Sequence, residues 1–197
     1  MHDKYSISQD PYCYENSNVL KNKLNITDPI ELDDAELAFT ALRYKEYSST
    51  ISSIESFNLT HLCSLHFHLF QDLYAWSGKI RTVDISKGTT RFCACLRIEV
   101  EAKKQFSRLS KLIDINSQEE LISEISDIFC ELNIIHPFRE GNGRTLRFLF
   151  EELFFFLGID FEWPSITKEE WVDANVCGYN CDLRALNKIF TAGVLPA

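Results

Sequence analysis

Apolar residues recur three or four positions apart along most of the chain, which is the spacing of one helix face. In residues 58–76 five leucines follow this spacing, and Gly78 ends the predicted helix. A loop over residues 136–143 opens a further helix that runs to Gly158. Other predicted helices lie at residues 97–113, 118–134, 167–176 and 182–192. The pattern therefore predicts a mainly helical protein.

The first long helix has a clear start signal. Asp28 is a typical N-cap residue, and Pro29 suits the first helical position. Acidic side chains follow in the first turns, where the helix dipole favours them. We expect this acidic run to be solvated; it consists of Glu31, Asp33, Asp34 and Glu36. Residues 1–27 are predicted to be an N-terminal segment that docks on a domain formed by residues 28–197.

Residues 79–92 break the helical pattern. Ile80, Val83 and Ile85 favour extended backbone, and Gly88 marks a turn. We predict a β-hairpin here, called the flap below. The predicted fold class is therefore all-α, a helical bundle with one small β-hairpin.

Composition places the chain among ordinary single-domain globular proteins. Its 197 residues, 45% hydrophobic and 25% charged, are enough to build a core. The net charge of −9 disfavours direct contact with nucleic acid or an anionic membrane. Seven cysteines without a paired framework indicate reduced, mostly buried thiols. Because no signal-peptide-like run is found, we expect a cytoplasmic protein; secretion into a host cell by an effector-type signal stays open.

Residues 136–147 bring together several groups that bind or transfer phosphate. Gly141 and Gly143 leave backbone N–H groups exposed at the start of a helix, where the dipole favours an anion. Arg144 and Arg147 are three positions apart, so both can bind phosphates from one helix face.

Two further side chains complete the predicted site. Glu140 can bind Mg²⁺, since that ion takes one or two carboxylates together with phosphate oxygens. His136 titrates near neutral pH and can act as a base on a hydroxyl nucleophile. With Arg139 included, the segment carries an excess of two positive charges, which we expect to attract a polyanion. The combination indicates a phosphoryl- or nucleotidyl-transfer site.

The run HPFREGNGRTLR, residues 136–147, resembles a family signature at every fixed position. The signature is that of the Fic (Fic/Doc) family: His-Pro-Phe-any-Asp/Glu-Gly-Asn-Gly-Arg-any-any-Arg. Residues 78–93 look like the family's flap hairpin, and residues 10–26 resemble the opening of Fic toxins and of type IV-secreted Fic effectors. The resemblance covers nearly the whole chain and implies the Fic fold.

The resemblance implies a protein adenylyltransferase, an ATP- and Mg²⁺-dependent enzyme that moves AMP to a hydroxyl side chain of a target protein. By position in the motif, His136 is implied as the general base and Glu140 as the Mg²⁺ ligand. The implied phosphate-binding residues are Gly141, Asn142 and Gly143 as an anion hole, with Arg144 and Arg147 at the β- and γ-phosphates.

The resemblance also implies that the flap holds the target by strand addition, in which main-chain hydrogen bonds set the register. The flap residues implied in docking are Val83, Asp84, Ile85, Ser86, Lys87, Gly88, Thr89, Thr90, Arg91 and Phe92. The flap is expected to be positively charged, with Lys79, Arg81, Lys87 and Arg91 against Asp84.

Two family distinctions narrow the expected activity. The kinase-like Doc branch carries Ala-Asn-Lys where this chain has Gly141, Asn142 and Gly143, so AMP transfer is favoured over phosphate transfer.

Many Fic proteins carry an inhibitory helix with the pattern Ser/Thr-x-x-x-Glu-Gly/Asn, whose Glu pairs with the second motif arginine, here Arg147. No segment of this chain completes that pattern. We therefore expect a separate antitoxin chain, and the resemblance to Fic toxins implies gyrase or topoisomerase IV as targets.

Other interpretations stay open. The motif binds phosphates and not the base, so transfer of another nucleotide or phosphate-bearing group is an alternative. A non-catalytic module that captures a peptide on the flap is another, against which the intact His136 and Glu140 argue. A metal cluster in residues 61–68, which hold three histidines and a cysteine, is not favoured, because His66 and His68 point to different helix faces.

Overall fold

The computed structural model describes residues 10–196 and confirms the predicted class, a helical protein with one hairpin. The helices in this part of the chain are α1 (Pro29–Glu46), α2 (Leu59–Phe70), α3 (Ile98–Phe106), α4 (Gln118–Ile135), α5 (Asn142–Phe156), α6 (Lys168–Tyr179) and α7 (Arg184–Gly193). Strands β1 (Ser86–Lys87) and β2 (Thr90–Arg91) pair antiparallel. Short 3₁₀ helices lie at Ile54–Ser56, Cys95–Arg97 and Leu109–Asp114.

Helices α4 and α5 form the centre of the molecule. Helix α5 packs against α2 and α4, and α4 also contacts α3, α6 and α7. The side chains of Ile125, Phe129, Phe150 and Phe154 on these two helices have no exposed surface. This core fixes both ends of the loop that joins α4 to α5.

None of the helices in residues 10–196 combines the length and apolar character that crossing a bilayer requires.

Helix α1 begins as the sequence predicts. The Asp28 carboxylate accepts hydrogen bonds from the N–H groups of Ile30 and Glu31, both at 2.9 Å, and Pro29 occupies the first helical position. The prediction of a uniformly solvated acidic run is wrong at Glu36, which is only 3% exposed. Its position on α1 turns it toward the neighbouring helices.

Two helices end earlier than their apolar pattern predicts. Helix α2 stops at Phe70, where a tighter turn takes over; the Leu73 N–H donates to the Phe70 carbonyl at 3.1 Å. The helix predicted over residues 97–113 stops at Phe106. The Ser107 hydroxyl there donates to a backbone carbonyl one turn back, which competes with continued helix.

A buried polar cluster joins the end of α1 to α2 and α5. The Glu152 carboxylate on α5 accepts hydrogen bonds from the Tyr47 hydroxyl at 2.8 Å and from the Ser49 hydroxyl. Its other oxygen lies 2.5 Å from Nε2 of His61. These partners satisfy a carboxylate that is only 6% exposed, and they fix α1 along α5.

Residues 10–27 form no helix of their own and lie against the helical part of the chain. The Lys23 N–H donates to the Leu73 carbonyl at 2.7 Å. The Asp10 carboxylate pairs with the buried Arg139 guanidinium at 2.5 Å. The segment is thereby attached to the turn after α2 and to the loop before α5.

None of the seven cysteines, which all lie in residues 10–196, forms a disulfide bond. Cys13 and Cys130 are buried and three others are half-buried, but Cys177 and Cys181 are exposed. The prediction of mostly buried thiols is therefore wrong for this last pair. Helix α6 buries Ala174 and its glycine against the core, which leaves its cysteine on the outer side.

Candidate functional site

The loop between α4 and α5 starts from an unusual backbone position at His136. This residue caps α4 with φ 48° and ψ 65°, the left-handed region that few residues other than glycine adopt. Its N–H donates to the Leu132 carbonyl at 3.2 Å. The sharp reversal keeps the loop short, and it brings the imidazole and the Glu140 carboxylate close enough for their charges to interact.

Asn142 clamps the loop from the start of α5. Its side chain accepts from the Phe138 N–H and donates to the Phe138 carbonyl, both at 2.8 Å. The fully buried Phe138 ring stacks on His66, with ring centroids 3.9 Å apart. Since His66 Nδ1 accepts from the Gly78 N–H, its Nε2 donates to the Glu140 carbonyl at 3.0 Å. His66 thus supports the loop and does not join a metal cluster.

The two glycines of the motif have different structural roles. Gly141 has φ 81°, and a Cβ atom there would lie 2.4 Å from the Phe70 ring. A Cβ atom at Gly143 would meet nothing within 4 Å. Packing therefore requires the first glycine, whereas the second leaves open space at the start of α5.

The N-terminus of α5 presents unsatisfied N–H groups. No side chain caps it within the described residues, and the Thr145 N–H donates to the Gly141 carbonyl at 3.0 Å. The N–H groups of Asn142, Gly143 and Arg144 precede that bond, so the helix itself gives them no acceptor. These three groups, called the anion cradle below, favour an anion together with the helix dipole.

His136 has the tautomer of a proton acceptor. Its Nδ1 lies 2.7 Å from the Asn133 carbonyl, which can only accept, so Nδ1 carries the proton and Nε2 keeps a lone pair. The Phe92 ring of the flap stacks on the imidazole, with centroids 3.8 Å apart. Burial lowers the pKa of His136 to about 4, although the Asn133 carbonyl and the Glu140 charge oppose this shift. The imidazole is therefore neutral at pH 7, and the expectation that His136 titrates near neutral pH is wrong because the side chain is buried.

Glu140 lies between the loop and the anion cradle and is mostly buried. Its Oε1 accepts from the Gly141 N–H at 3.0 Å and lies 3.6 Å from Nη2 of Arg144. No group of three or more His, Cys, Asp or Glu side chains forms a metal site among residues 10–196. One carboxylate beside a phosphate-binding helix end nevertheless fits Mg²⁺, because phosphate oxygens and water supply its remaining ligands.

The two motif arginines contact different neighbours. Arg144 pairs with Glu36 of α1, and its guanidinium lies 4.8 Å from the centre of the Phe70 ring. The Arg147 guanidinium lies 5.4 Å from the centre of the Trp171 ring on α6. Arg147 also lines a cavity of about 300 Å³ together with Trp171 and with Trp163, Pro164, Ile166, Thr167 and Lys168. The two side chains therefore border the start of α5 next to separate helices.

Carboxylates from other parts of the chain compensate the positive charge of residues 136–147, so the expectation that this charge attracts a polyanion is wrong. Arg139 is 1% exposed and pairs with Asp10, and Arg144 pairs with Glu36. These two carboxylates come from distant parts of the chain and cancel the excess of two. An anion is therefore favoured here by directed N–H groups and not by net local charge.

The base of the flap is attached to the end of α4. Arg81, only 2% exposed, donates from Nε to the His136 carbonyl at 2.8 Å and from Nη2 to the Ile135 carbonyl at 3.2 Å. Its Nη1 donates to the Val83 carbonyl at 2.6 Å. The Cys93 N–H also donates to a carbonyl in the last turn of α4, at 3.1 Å. One buried guanidinium thus joins the flap to the backbone of the motif histidine.

The tip of the flap is a tight hairpin. Ser86 pairs with Arg91 and Lys87 with Thr90, so Gly88 is the first of two turn residues. Its φ of 58° is the positive value that a primed hairpin turn needs at this position.

The flap is less positively charged than the sequence suggests. Arg81 is turned inward to backbone carbonyls, and the Arg91 guanidinium lies 3.6 Å from the Asp84 carboxylate. Arg81 therefore adds nothing to the flap surface, where Lys79, Lys87 and Arg91 still outnumber Asp84. Ile85 is buried and Phe92 covers His136, so the two ends of the flap are anchored.

Three residues that the sequence pattern did not indicate belong to the site: Glu36, His66 and Arg81. Each reaches the motif from a distant part of the chain. For Glu36 a signal was present, because it falls four residues from both Leu32 and Thr40, which share the buried face of α1.

Comparison with known proteins gives consistent matches. The Fic/DOC family model matches residues 56–154. Over its whole length the chain is 36% identical to a Salmonella typhimurium protein named "Probable protein adenylyltransferase Fic", of which the alignment covers 98%.

Solved structures match the fold. BepC, a VirB-translocated Bartonella effector protein from Bartonella tribocorum crystallised with AMPPNP, has a TM-score of 0.83 at 22% identity, covering 94% of this chain and 97% of that one. The N-terminal Fic domain of a VirB-translocated Bep effector protein from Bartonella quintana, crystallised with ADP, has a TM-score of 0.83 at 25% identity, covering 94% of each chain.

Replacing the two motif glycines separately should distinguish folding from ligand binding. Gly141→Ala is expected to lower the free energy of unfolding by about 1–3 kcal/mol, because the methyl group meets Phe70 at a strained φ. Gly143→Ala is expected to change it by less than about 0.5 kcal/mol, yet to weaken ATP binding at least ~10-fold by crowding the anion cradle. Urea unfolding and calorimetric titration measure the two effects. A Gly143→Ala protein that binds ATP with unchanged affinity would contradict the location of the cradle.

Proposed function

Because the chain belongs to the Fic/DOC family, we propose that it is a protein adenylyltransferase, which transfers AMP from ATP to a hydroxyl group of a target protein. The observation that carries this proposal is the proton-accepting His136 beside the uncapped N-terminus of α5. The imidazole can take the proton of the attacking hydroxyl, and the helix end can bind the triphosphate. The ADP bound to the similar Bartonella quintana domain supports an adenine nucleotide as the substrate.

In the proposed step the hydroxyl oxygen of the target attacks the α-phosphorus of ATP. A bond forms between that oxygen and the AMP group, the bond from the α-phosphorus to the oxygen bridging to the β-phosphate breaks, and pyrophosphate leaves. His136 Nε2 accepts the hydroxyl proton. Since Nδ1–H is held by Asn133 and the ring is held by Phe92, the imidazole is already oriented for this transfer.

The phosphates of ATP would lie on the anion cradle. Arg144 would donate to them from beside the cradle, with Arg147 nearer the γ-phosphate end. Glu140 would hold Mg²⁺ at the same phosphates. When bound, this ion would neutralise phosphate charge and orient the leaving group.

We propose the flap as the docking site for the target. Within the described residues β1 and β2 pair only with each other, so each strand has an open edge. A target segment added to this hairpin would lie close to Phe92 and thus close to the imidazole of His136. Bacterial type II topoisomerases, gyrase and topoisomerase IV, are proposed as targets from the family resemblance alone.

We further propose that a separate antitoxin chain restrains the enzyme in the cytoplasm. Within residues 10–196 the Arg147 guanidinium forms no salt bridge and lies over Trp171 beside the cavity described above. A glutamate placed there by a partner helix would pair with Arg147 and compete with the γ-phosphate.

Labelled ATP tests the reaction class. Purified protein incubated with α-³²P-ATP, Mg²⁺ and bacterial lysate is expected to label a lysate protein, and His136→Ala is expected to label none. The reason is that AMP transfer carries the α-phosphorus to the target, and the step needs the base at Nε2. Autoradiography of the separated proteins gives the readout.

The same assay with γ-³²P-ATP is the control. Label from the γ-phosphate without label from the α-phosphate would contradict AMP transfer and favour a kinase. No label from either nucleotide would favour a binding module. Competition by other unlabelled nucleoside triphosphates would reveal transfer of a different nucleotide.

The pH dependence of kcat/KM tests the low pKa of His136. Because burial lowers that pKa to about 4, the basic form is present throughout the neutral range and is lost only as the pH falls toward that value. We expect kcat/KM to be flat from about pH 6 to pH 8 at saturating Mg²⁺, and to fall below about pH 5. Circular dichroism at each pH shows that the chain stays folded. A midpoint near the ordinary histidine pKa of about 6.5 would contradict the neutral, buried base.

A further inference from the structure

Glu36 is a buried carboxylate whose partners come from two other elements. It lies on the inward face of α1 and is 3% exposed. Its Oε1 accepts a hydrogen bond from the hydroxyl of Tyr74, in the turn after α2, and its Oε2 accepts one from Nη2 of Arg144 on α5. Burying a carboxylate is costly unless such charged and polar partners compensate for it. The glutamate is therefore placed for a specific contact with Arg144.

The guanidinium of Arg144 contacts its carboxylate neighbours through one nitrogen, Nη2. Both of its carboxylate neighbours use the same nitrogen: Nη2 bonds Glu36 and lies 3.6 Å from Oε1 of Glu140. The Phe70 ring covers one face of the group. Among residues 10–196, Nε and Nη1 have no hydrogen-bond acceptor, so the remaining donors can bind a ligand at the start of α5.

Removing the charge of Glu36 would leave Glu140 as the nearest carboxylate to Arg144. Arg144 and Glu140 already form an ion pair at 3.6 Å, and a small movement of the guanidinium would shorten it to hydrogen-bond distance. The shortened pair would turn the arginine away from the anion cradle and would occupy the carboxylate that is proposed to hold Mg²⁺. Glu36 therefore prevents this ion pair from becoming shorter.

We propose that Glu36 is a positioning residue for the β- and γ-phosphates of the nucleotide and acts only through Arg144. This inference rests on the proposed function, because it concerns binding of ATP at the same site. Glu36 holds the guanidinium in one orientation before the nucleotide arrives, so less side-chain freedom is lost on binding. An inhibitory glutamate would act in the opposite direction, because it would compete with phosphate for the arginine.

Nucleotide affinities of Glu36→Gln test the proposal. This change keeps the shape of the side chain and removes its charge. We expect the Kd for ATP to rise about 10- to 100-fold and the Kd for AMP, which lacks the β- and γ-phosphates, to change less than about twofold. Glu152→Gln is the matched control, since it removes a buried carboxylate that also joins α1 to α5 but lies in the Tyr47 and Ser49 cluster. It is expected to leave both affinities unchanged.

A double-mutant cycle tests whether Glu36 acts through the arginine. In an Arg144→Ala background, Glu36→Gln is expected to add less than about a twofold change in the Kd for ATP. Tyr74→Phe provides a second variant that retains all charges, and it is expected to raise the Kd for ATP by about 2- to 5-fold, because Glu36 loses the hydroxyl that orients it. Isothermal titration calorimetry gives the affinities, and circular dichroism shows that each variant is folded.

Each other outcome overturns the inference. Unchanged or tighter ATP binding by Glu36→Gln would exclude positioning, and tighter binding would identify Glu36 as an inhibitor. A general structural role would be shown if Glu36→Gln weakened ATP and AMP binding equally. It would also be shown if Glu36→Gln raised the Kd for ATP as much in the Arg144→Ala background as in the unchanged chain. If the unchanged chain itself bound no ATP, the proposed function would fail together with the inference; a chain that binds ATP but is insensitive to Glu36→Gln would overturn the inference alone.

Discussion

The geometry of the site depends on one buried cation, the guanidinium of Arg81. It donates to the carbonyls of Ile135 and His136 at the end of α4 and to those of Val83 and Cys93 at the base of the flap. The C-terminal end of a helix is the negative end of its dipole, so the carbonyls of Ile135 and His136 stabilise the buried positive charge. The left-handed backbone of the motif histidine and the position of the flap are thereby fixed by the same group.

Two compensated arginines bear on how an acidic chain could bind ATP at the proposed site. Arg139 is neutralised by Asp10, and Arg144 is neutralised by Glu36, so neither adds a long-range positive field. In the proposed function, phosphate is recognised instead by short-range donors, which are the N–H groups at the start of α5 and the Nε and Nη1 groups of Arg144. Such a site would select its ligand by the positions of these donors and not by net charge. This would suit an enzyme that must place the α-phosphorus beside one imidazole nitrogen.

The sequence could predict what is encoded locally. The motif residues lie within one short segment, so their order already places His136 before a helix whose first turn carries Gly143 and Arg144. The start of α1 at Asp28 and the turn at Gly88 follow from equally local rules. The fold class and the hairpin were predictable for the same reason.

Contacts between distant segments could not be predicted in this way. Glu36 is 108 positions from Arg144, and His66 is 74 positions from Glu140. The sequence alone places Arg81 among the charged residues of the flap, because no local pattern shows that its guanidinium will contact four backbone carbonyls of the folded chain. The charge of the motif was misjudged for the same reason, since its compensating carboxylates arrive only with the tertiary structure.

A crystal structure of the chain with a non-hydrolysable ATP analogue and Mg²⁺ tests the location of the phosphate site most directly. We predict β-phosphate oxygens within about 3 Å of the Gly143 N–H and of Arg144, with the α-phosphorus facing Nε2 of His136. A triphosphate bound elsewhere, with the start of α5 left without an anion, would contradict this prediction.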